Sequence, residues 1–163
     1  PLFYKLVAHG TSALTRDAVL EFLNKHNVVQ ADPVTRLFDV LRQEGSSVIK
    51  QEDLKSMMAG ILACHRGLEF LHETPEFQDR YAETVIYRIF YSLDRSGSGC
   101  LTLRDLKRSD LLEALAMLDA EEDINAVLRY FSYEHFYVIY CKFWELDADH
   151  DFLISKDDML KYL

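Results

Sequence analysis

The sequence predicts an all-α protein built from helix–loop–helix repeats, with short strands in the loops. Three observations predict it. Turn formers are scarce, with 6 Gly and 3 Pro in 163 residues, whereas a sandwich of strands needs a turn roughly every 8–12 residues. Hydrophobic residues make up 49% and charged residues 28%, which is the composition of a folded globular chain. Finally, one apolar pattern occurs four times with identical internal spacing.

The pattern is Phe, a Leu three residues on, a Leu or Ile eight further, and an apolar residue five further. Its copies are Phe3, Leu6, Leu14 and Val19; Phe38, Leu41, Ile49 and Leu54; Phe90, Leu93, Leu101 and Leu106; and Phe143, Leu146, Ile154 and Met159. Successive copies are 35, 52 and 53 residues apart. Constant spacing inside a unit and variable spacing between units mark the unit as structural. The Phe and Leu share one helical face. The middle aliphatic sits in a polar stretch, where a short strand pairs with its counterpart. The last apolar residue begins a second helix. Helix, twelve-residue loop, helix is the EF-hand, with loops at 7–18, 42–53, 94–105 and 147–158. At the ninth loop position Thr15, Thr102 and Ser155 cap the exiting helix. Asp105 and Asp158, three residues on, are capping-box partners, and Lys50 is the exception.

Calcium takes oxygen ligands from loop positions 1, 3, 5, 7, 9 and 12, with a Gly at the sharp turn of position 6. Loop 7–18 places Val7, His9, Thr11 and Ala18 at positions 1, 3, 5 and 12 and offers no carboxylate there. Loop 42–53 begins with the cation Arg42. Both read as hands kept for packing. Loop 94–105 has the turn Gly99 but only Asp94 and Asp105 as carboxylates, with Ser96, Ser98 and Thr102 between them. A Gly-rich turn between two helices suits it better than a metal site. Loop 147–158 carries Asp147, Asp149 and Asp151 at positions 1, 3 and 5, the Leu153 carbonyl at 7, Ser155 at 9 and Asp158 at 12. This is the expected calcium site. Phe152 stands where Gly belongs, and Asp158 is one methylene shorter than the usual Glu, so binding is expected at roughly 10⁻⁶ to 10⁻⁴ M.

Residues 1–62 are expected to hold one degenerate pair of hands, 63–75 a connector, and 76–163 a second pair with inserted helices near 110–118 and 121–130. Thr74 and Pro75 open a helix. From Tyr130 to Trp144 the chain has eight aromatics in fifteen residues. Ser132 is the expected N-cap of a helix to about Leu146, apolar nearly all round. Such a helix serves as the spine of a domain, faces a partner, or does both. The last helix has barely begun at Leu163, which reads as a piece of a longer protein.

Net charge is −9, which disfavours nucleic acid and acidic membrane surfaces as partners. No apolar run approaches the roughly 20 residues that span a bilayer. Cys64, Cys100 and Cys141 are too dispersed for a zinc site or a disulfide framework, so a reducing compartment, cytoplasmic and/or nuclear, is expected. Catalytic signatures are absent. His72-Glu73 lacks the second His of a zinc-protease helix, and Gly97-Ser98-Gly99 lacks the Lys of a phosphate loop.

The runs TVIYRIFYSLDRSGSGCLTLRDLKRSDLL (84–112) and YFSYEHFYVIYCKFWELDADHDFLIS (130–155) resemble the B-double-prime regulatory subunits of protein phosphatase 2A. The segment from FYKLVAHG to HETPEFQDRYAE looks like that family too, so the resemblance covers essentially the whole chain, as an N-terminal to central piece. It implies a non-catalytic, calcium-modulated subunit. Such a protein docks on the HEAT-repeat scaffold, contacts the catalytic subunit and directs the serine/threonine phosphatase to protein substrates. The resemblance places the family's first calcium loop on Asp147, Asp149, Asp151, Leu153, Ser155 and Asp158, and a second loop further downstream. The alternative is a calcium sensor that grips amphipathic target helices through a Met-lined cleft.

Overall fold

The computed structural model describes residues 15–25 and 30–160. Its helices are α1 (Arg16–Lys25), α2 (Pro33–Leu41), α3 (Gln51–Cys64), α4 (Pro75–Leu93), α5 (Leu103–Lys107), α6 (Leu111–Ala120), α7 (Tyr133–Leu146) and α8 (Lys156–Leu160). Short 3-10 turns lie at Arg66–Leu71 and Ile124–Ala126. Among the described residues there is no strand; the expected loop strands reduce to one antiparallel bridge, Ile49 with Leu101.

That bridge revises the expected domain division. Ile49 and Leu101 exchange two backbone hydrogen bonds of 2.8 Å each, and both are fully buried. They are the eighth residues of loops 42–53 and 94–105, so the second hand pairs with the third across the expected connector. The repeat explains why. Phe38, Leu41, Ile49 and Leu54 of one hand and Phe90, Leu93, Leu101 and Leu106 of the other are all buried in one core, and each such side chain contributes about 1.5–3 kcal/mol on leaving water. The residues expected to connect two lobes also enter that core, through the buried Leu68 and Leu71 of the 3-10 turn. Most of loop 7–18, with Phe3, Leu6, Leu14, Val7, His9 and Thr11, lies outside the described residues.

Local signals explain the helix starts. Asp32 accepts from the Thr35 backbone N–H at 3.0 Å and precedes Pro33. Thr15 accepts from Ala18 N–H at 3.2 Å. Thr102 and Asp105 form a reciprocal capping box, as do Ser155 and Asp158. At Lys50 only half the box exists: its N–H donates to Asp53 Oδ2 at 2.7 Å. Pro75 opens α4 as expected, but the Thr74 hydroxyl donates to the Leu71 carbonyl instead of capping.

The spine of the molecule is α4, not the aromatic α7. Tyr81, Val85, Ile86, Ile89, Phe90 and Leu93 of α4 are buried, whereas Phe136 is the buried residue of α7. Tyr137, Val138, Ile139 and Trp144 are exposed. Helix α7 rests on α4 by one face, with Phe136 edge-on to Tyr81 at 5.5 Å and Tyr140 beside Phe77 at 5.4 Å. The helix expected over 121–130 does not form; the stretch is irregular apart from Ile124–Ala126. Its turn is fastened to α4 by hydrogen bonds. Tyr81 donates to the Phe131 carbonyl, and Arg88 donates to the carbonyls of Tyr130 (2.6 Å) and Leu128 (3.2 Å). Ser132 then caps α7 through His135 N–H at 3.3 Å.

Candidate metal centre

Loop 147–158 follows α7 directly. Oxygens of Asp147, Asp149 and Asp151 lie within 4.8 Å of one another, with Asp147 buried and the other two exposed. The Asp147 carboxylate accepts from the backbone N–H of Asp151 at 3.2 Å and of Phe152 at 2.8 Å. Asp151 accepts from Leu153 N–H at 2.7 Å. Three converging carboxylates on a turn of inward-pointing amides make a hard-oxygen donor set of the kind calcium takes. Asp158 stands outside this group of three; its Oδ2 accepts from the Ser155 N–H at 3.0 Å and hydroxyl at 2.6 Å.

Loop 94–105 has the same turn. Asp94 accepts from Ser98 N–H at 3.1 Å and Gly99 N–H at 2.7 Å, the pair of positions that serve Asp147. Partial burial pushes the Asp94 carboxyl up, but hydrogen bonds from Ser96, Gly99 and Ser98 outweigh it and hold it below the usual carboxylate value. Both loops turn left-handed at positions 4 and 6. These are Gly97 (φ 68°) and Gly99 (φ 71°) in one, and His150 (φ 58°) and Phe152 (φ 65°) in the other. A residue with a side chain pays about 1–2 kcal/mol for that conformation.

Loop 42–53 reverses the polarity. Arg42 stands at position 1 and its Nη1 donates to the Ser46 carbonyl at 2.7 Å, while Nε pairs with Asp39 at 2.8 Å. A guanidinium occupies the place that a carboxylate takes in the other two loops.

Sequence reasoning missed the side chains that support loop 147–158. Trp144 stacks on His150 with centroids 3.8 Å apart and planes 9° apart. Arg80 of α4 lies 4.2 Å from the centre of the Phe152 ring. Linear spacing carries no signal for contacts between α4 and a loop so distant in sequence. A Phe where the turn requires Gly is the one clue in the sequence that something must hold it.

Comparison with known proteins places this geometry. The EF-hand domain family matches residues 32–121, more than half of the chain and the segment that holds the paired hands. The chain belongs to the EF-hand domain family. The resemblance to the B-double-prime proteins is also borne out. The chain is 54% identical to the probable B''epsilon regulatory subunit of serine/threonine protein phosphatase 2A from Arabidopsis thaliana, over 99% of this chain and 30% of that protein. It is 42% identical to the human B'' alpha regulatory subunit of the same phosphatase, over 99% of this chain and 14% of that protein. A solved structure described as a PP2A PR70 holoenzyme, diCa, superposes with a TM-score of 0.77 and 48% identity, covering 80% of this chain and 49% of that one. The EF-hand chain thus spans about a third of its plant relative, and these relatives are named regulatory subunits, not catalytic ones.

Proposed function

We propose that this chain is the EF-hand region of a calcium-responsive regulatory subunit of protein phosphatase 2A. The observation that carries this reading is 54% identity over 99% of the chain to a B'' relative. In this reading the chain is not itself catalytic. It contributes to docking on the HEAT-repeat scaffold and the catalytic subunit, and so to the choice of protein substrates. The exposed aromatic and aliphatic face of α7 supports a docking role, since Tyr and Trp are enriched at interfaces.

Calcium belongs at loop 147–158. Asp147, Asp149 and Asp151 would supply carboxylates, Leu153 its carbonyl, Ser155 a contact through water, and Asp158 the closing ligand. The donor set supports this; the bound ion would offset part of the cluster's negative charge and fix the angle at which α8 leaves. The free thiols of Cys64, Cys100 and Cys141 agree with a cytoplasmic or nuclear location. Among the described residues no helix is long and apolar enough to cross a membrane. The sensor alternative finds little support: Met57 and Met58 are buried in the core, and the exposed Met117 and Met159 stand on different helices, α6 and α8.

The test is binding of this chain to the purified scaffold protein in calcium and in chelator. Binding that weakens in chelator is expected. Absence of binding in both buffers would overturn the docking role, and binding indifferent to chelator would overturn the calcium response.

A further inference from the structure

Loops 94–105 and 147–158 share left-handed residues at positions 4 and 6, yet glycines stand there in one and His150 and Phe152 in the other. Side-chain-bearing residues persist in that conformation where their surroundings hold them. Both are held here. The His150 ring lies flat on Trp144, which the last turn of α7 supplies from within the same hand. Phe152 meets the same Trp144 more loosely, at 6.4 Å between centroids, and its closer contact comes from outside the hand, the Arg80 guanidinium of α4. Arg80 is itself steadied by Glu83, 2.9 Å away. The Phe152 N–H is one of the two amides that orient the Asp147 carboxylate, so what fixes Phe152 also fixes the first ligand of the cluster.

We infer that Arg80 is a positioning residue for the calcium loop: its guanidinium, packed on the Phe152 ring, holds loop 147–158 in the metal-ready turn and sets its calcium affinity from α4. This rests on the calcium reading proposed above. It separates two opposite expectations. By charge alone, Arg80 is a cation near an acidic loop, and its removal would tighten calcium binding. As a clamp, its removal weakens binding.

The experiment uses the full chain with Arg80→Met, Phe152→Gly and the double variant, each checked by circular dichroism for an intact helical fold. Calcium affinity is read by calorimetry. Arg80→Met weakens binding about two- to fivefold, the size of an exposed cation–π contact. In the Phe152→Gly background, where the residue at 152 adopts the left-handed turn without help, the same change leaves the affinity unaltered. A tightening or no change in Arg80→Met overturns the clamp, and so does equal weakening in both backgrounds. A second readout works without metal. Trp144 is the sole Trp, and His150→Ala defines the emission of the unstacked indole. In chelator, Arg80→Met shifts the emission toward that reference; an unshifted spectrum overturns the inference. If the unmutated chain gives no calcium heat, the calcium reading fails on its own, and the chelator spectrum alone decides whether Arg80 positions the loop.

Discussion

Replacing Asp147 with Ala separates the fourth loop from the third. Asp147 is fully buried, its oxygens lie within 4.8 Å of those of Asp149 and Asp151, and two backbone amides end on it. With a dissociation constant near 10⁻⁵ M, the middle of the expected range, calcium at about 1 mM stabilises the folded chain by about 2.7 kcal/mol. For a chain of this size each kcal/mol raises Tm by about 2–4 °C, so calcium raises Tm by about 5–11 °C. Asp147→Ala removes that rise. It also lowers Tm in chelator, because leaving the amides of Asp151 and Phe152 without an acceptor costs about 1–3 kcal/mol. Asp94→Ala is the control. It strips the same two amide bonds from loop 94–105, so it lowers Tm in chelator while leaving the calcium rise intact. The assay is differential scanning calorimetry of three proteins in calcium and in chelator. Survival of the calcium rise in Asp147→Ala, or its loss in Asp94→Ala, would refute the assignment of the metal to loop 147–158.

Three further outcomes follow from the packing. At Gly67 an added Cβ would sit 2.6 Å from the Glu122 carbonyl and 2.9 Å from the Ile124 nitrogen, so Gly67→Ala pries the 3-10 turn from the 122–124 segment and costs about 1–3 kcal/mol in urea unfolding; an unchanged midpoint would show that the two backbones are not so close. Tyr81→Phe leaves the buried Phe131 carbonyl without its donor and costs about 1–3 kcal/mol, with no change in calcium affinity, whereas a shift in calcium affinity would mean the start of α7 is coupled to the loop. The Thr35 hydroxyl, the Lys107 ammonium and the Thr35 amide hold the Asp32 carboxyl well below its usual value. A depressed carboxyl stabilises the fold above its unfolded pKa of about 3.9 and loses that contribution as pH falls through the native value. Asp32→Asn, which keeps an N-cap, is therefore less stable than the unmutated chain at pH 7, and the gap closes in strong acid; a gap that widens on acidification would reverse the sign.

The helical fold was legible because period and capping are local. Phe90 and Leu93 share a face whatever they pack on, and Thr102 with Asp105 closes a helix end within four residues. What local pattern left unsettled has physical causes. The stretch 121–130 has apolar residues and an acidic start, but its backbone groups at Leu128 and Tyr130 are taken by Arg88, and tertiary hydrogen bonds win over propensity. The aromatic richness of α7 fitted a buried spine, a partner-facing helix or both; one face meets α4 and the rest remains open, because aromatic content measures apolar area and does not specify what covers it.

Sequence by itself determined the loop positions of the described hands and which of those loops gathers carboxylates, because each depends on residues a few positions apart. It also determined that Arg42 opposes a cation in loop 42–53, since charge is a property of the residue. Tertiary structure decided which hands pair, which helix is central and what holds the left-handed turn at Phe152. Those outcomes depend on Ile49 meeting Leu101 and on Arg80 reaching Phe152. Such contacts join residues far apart along the chain, and they form only when the core brings the elements together.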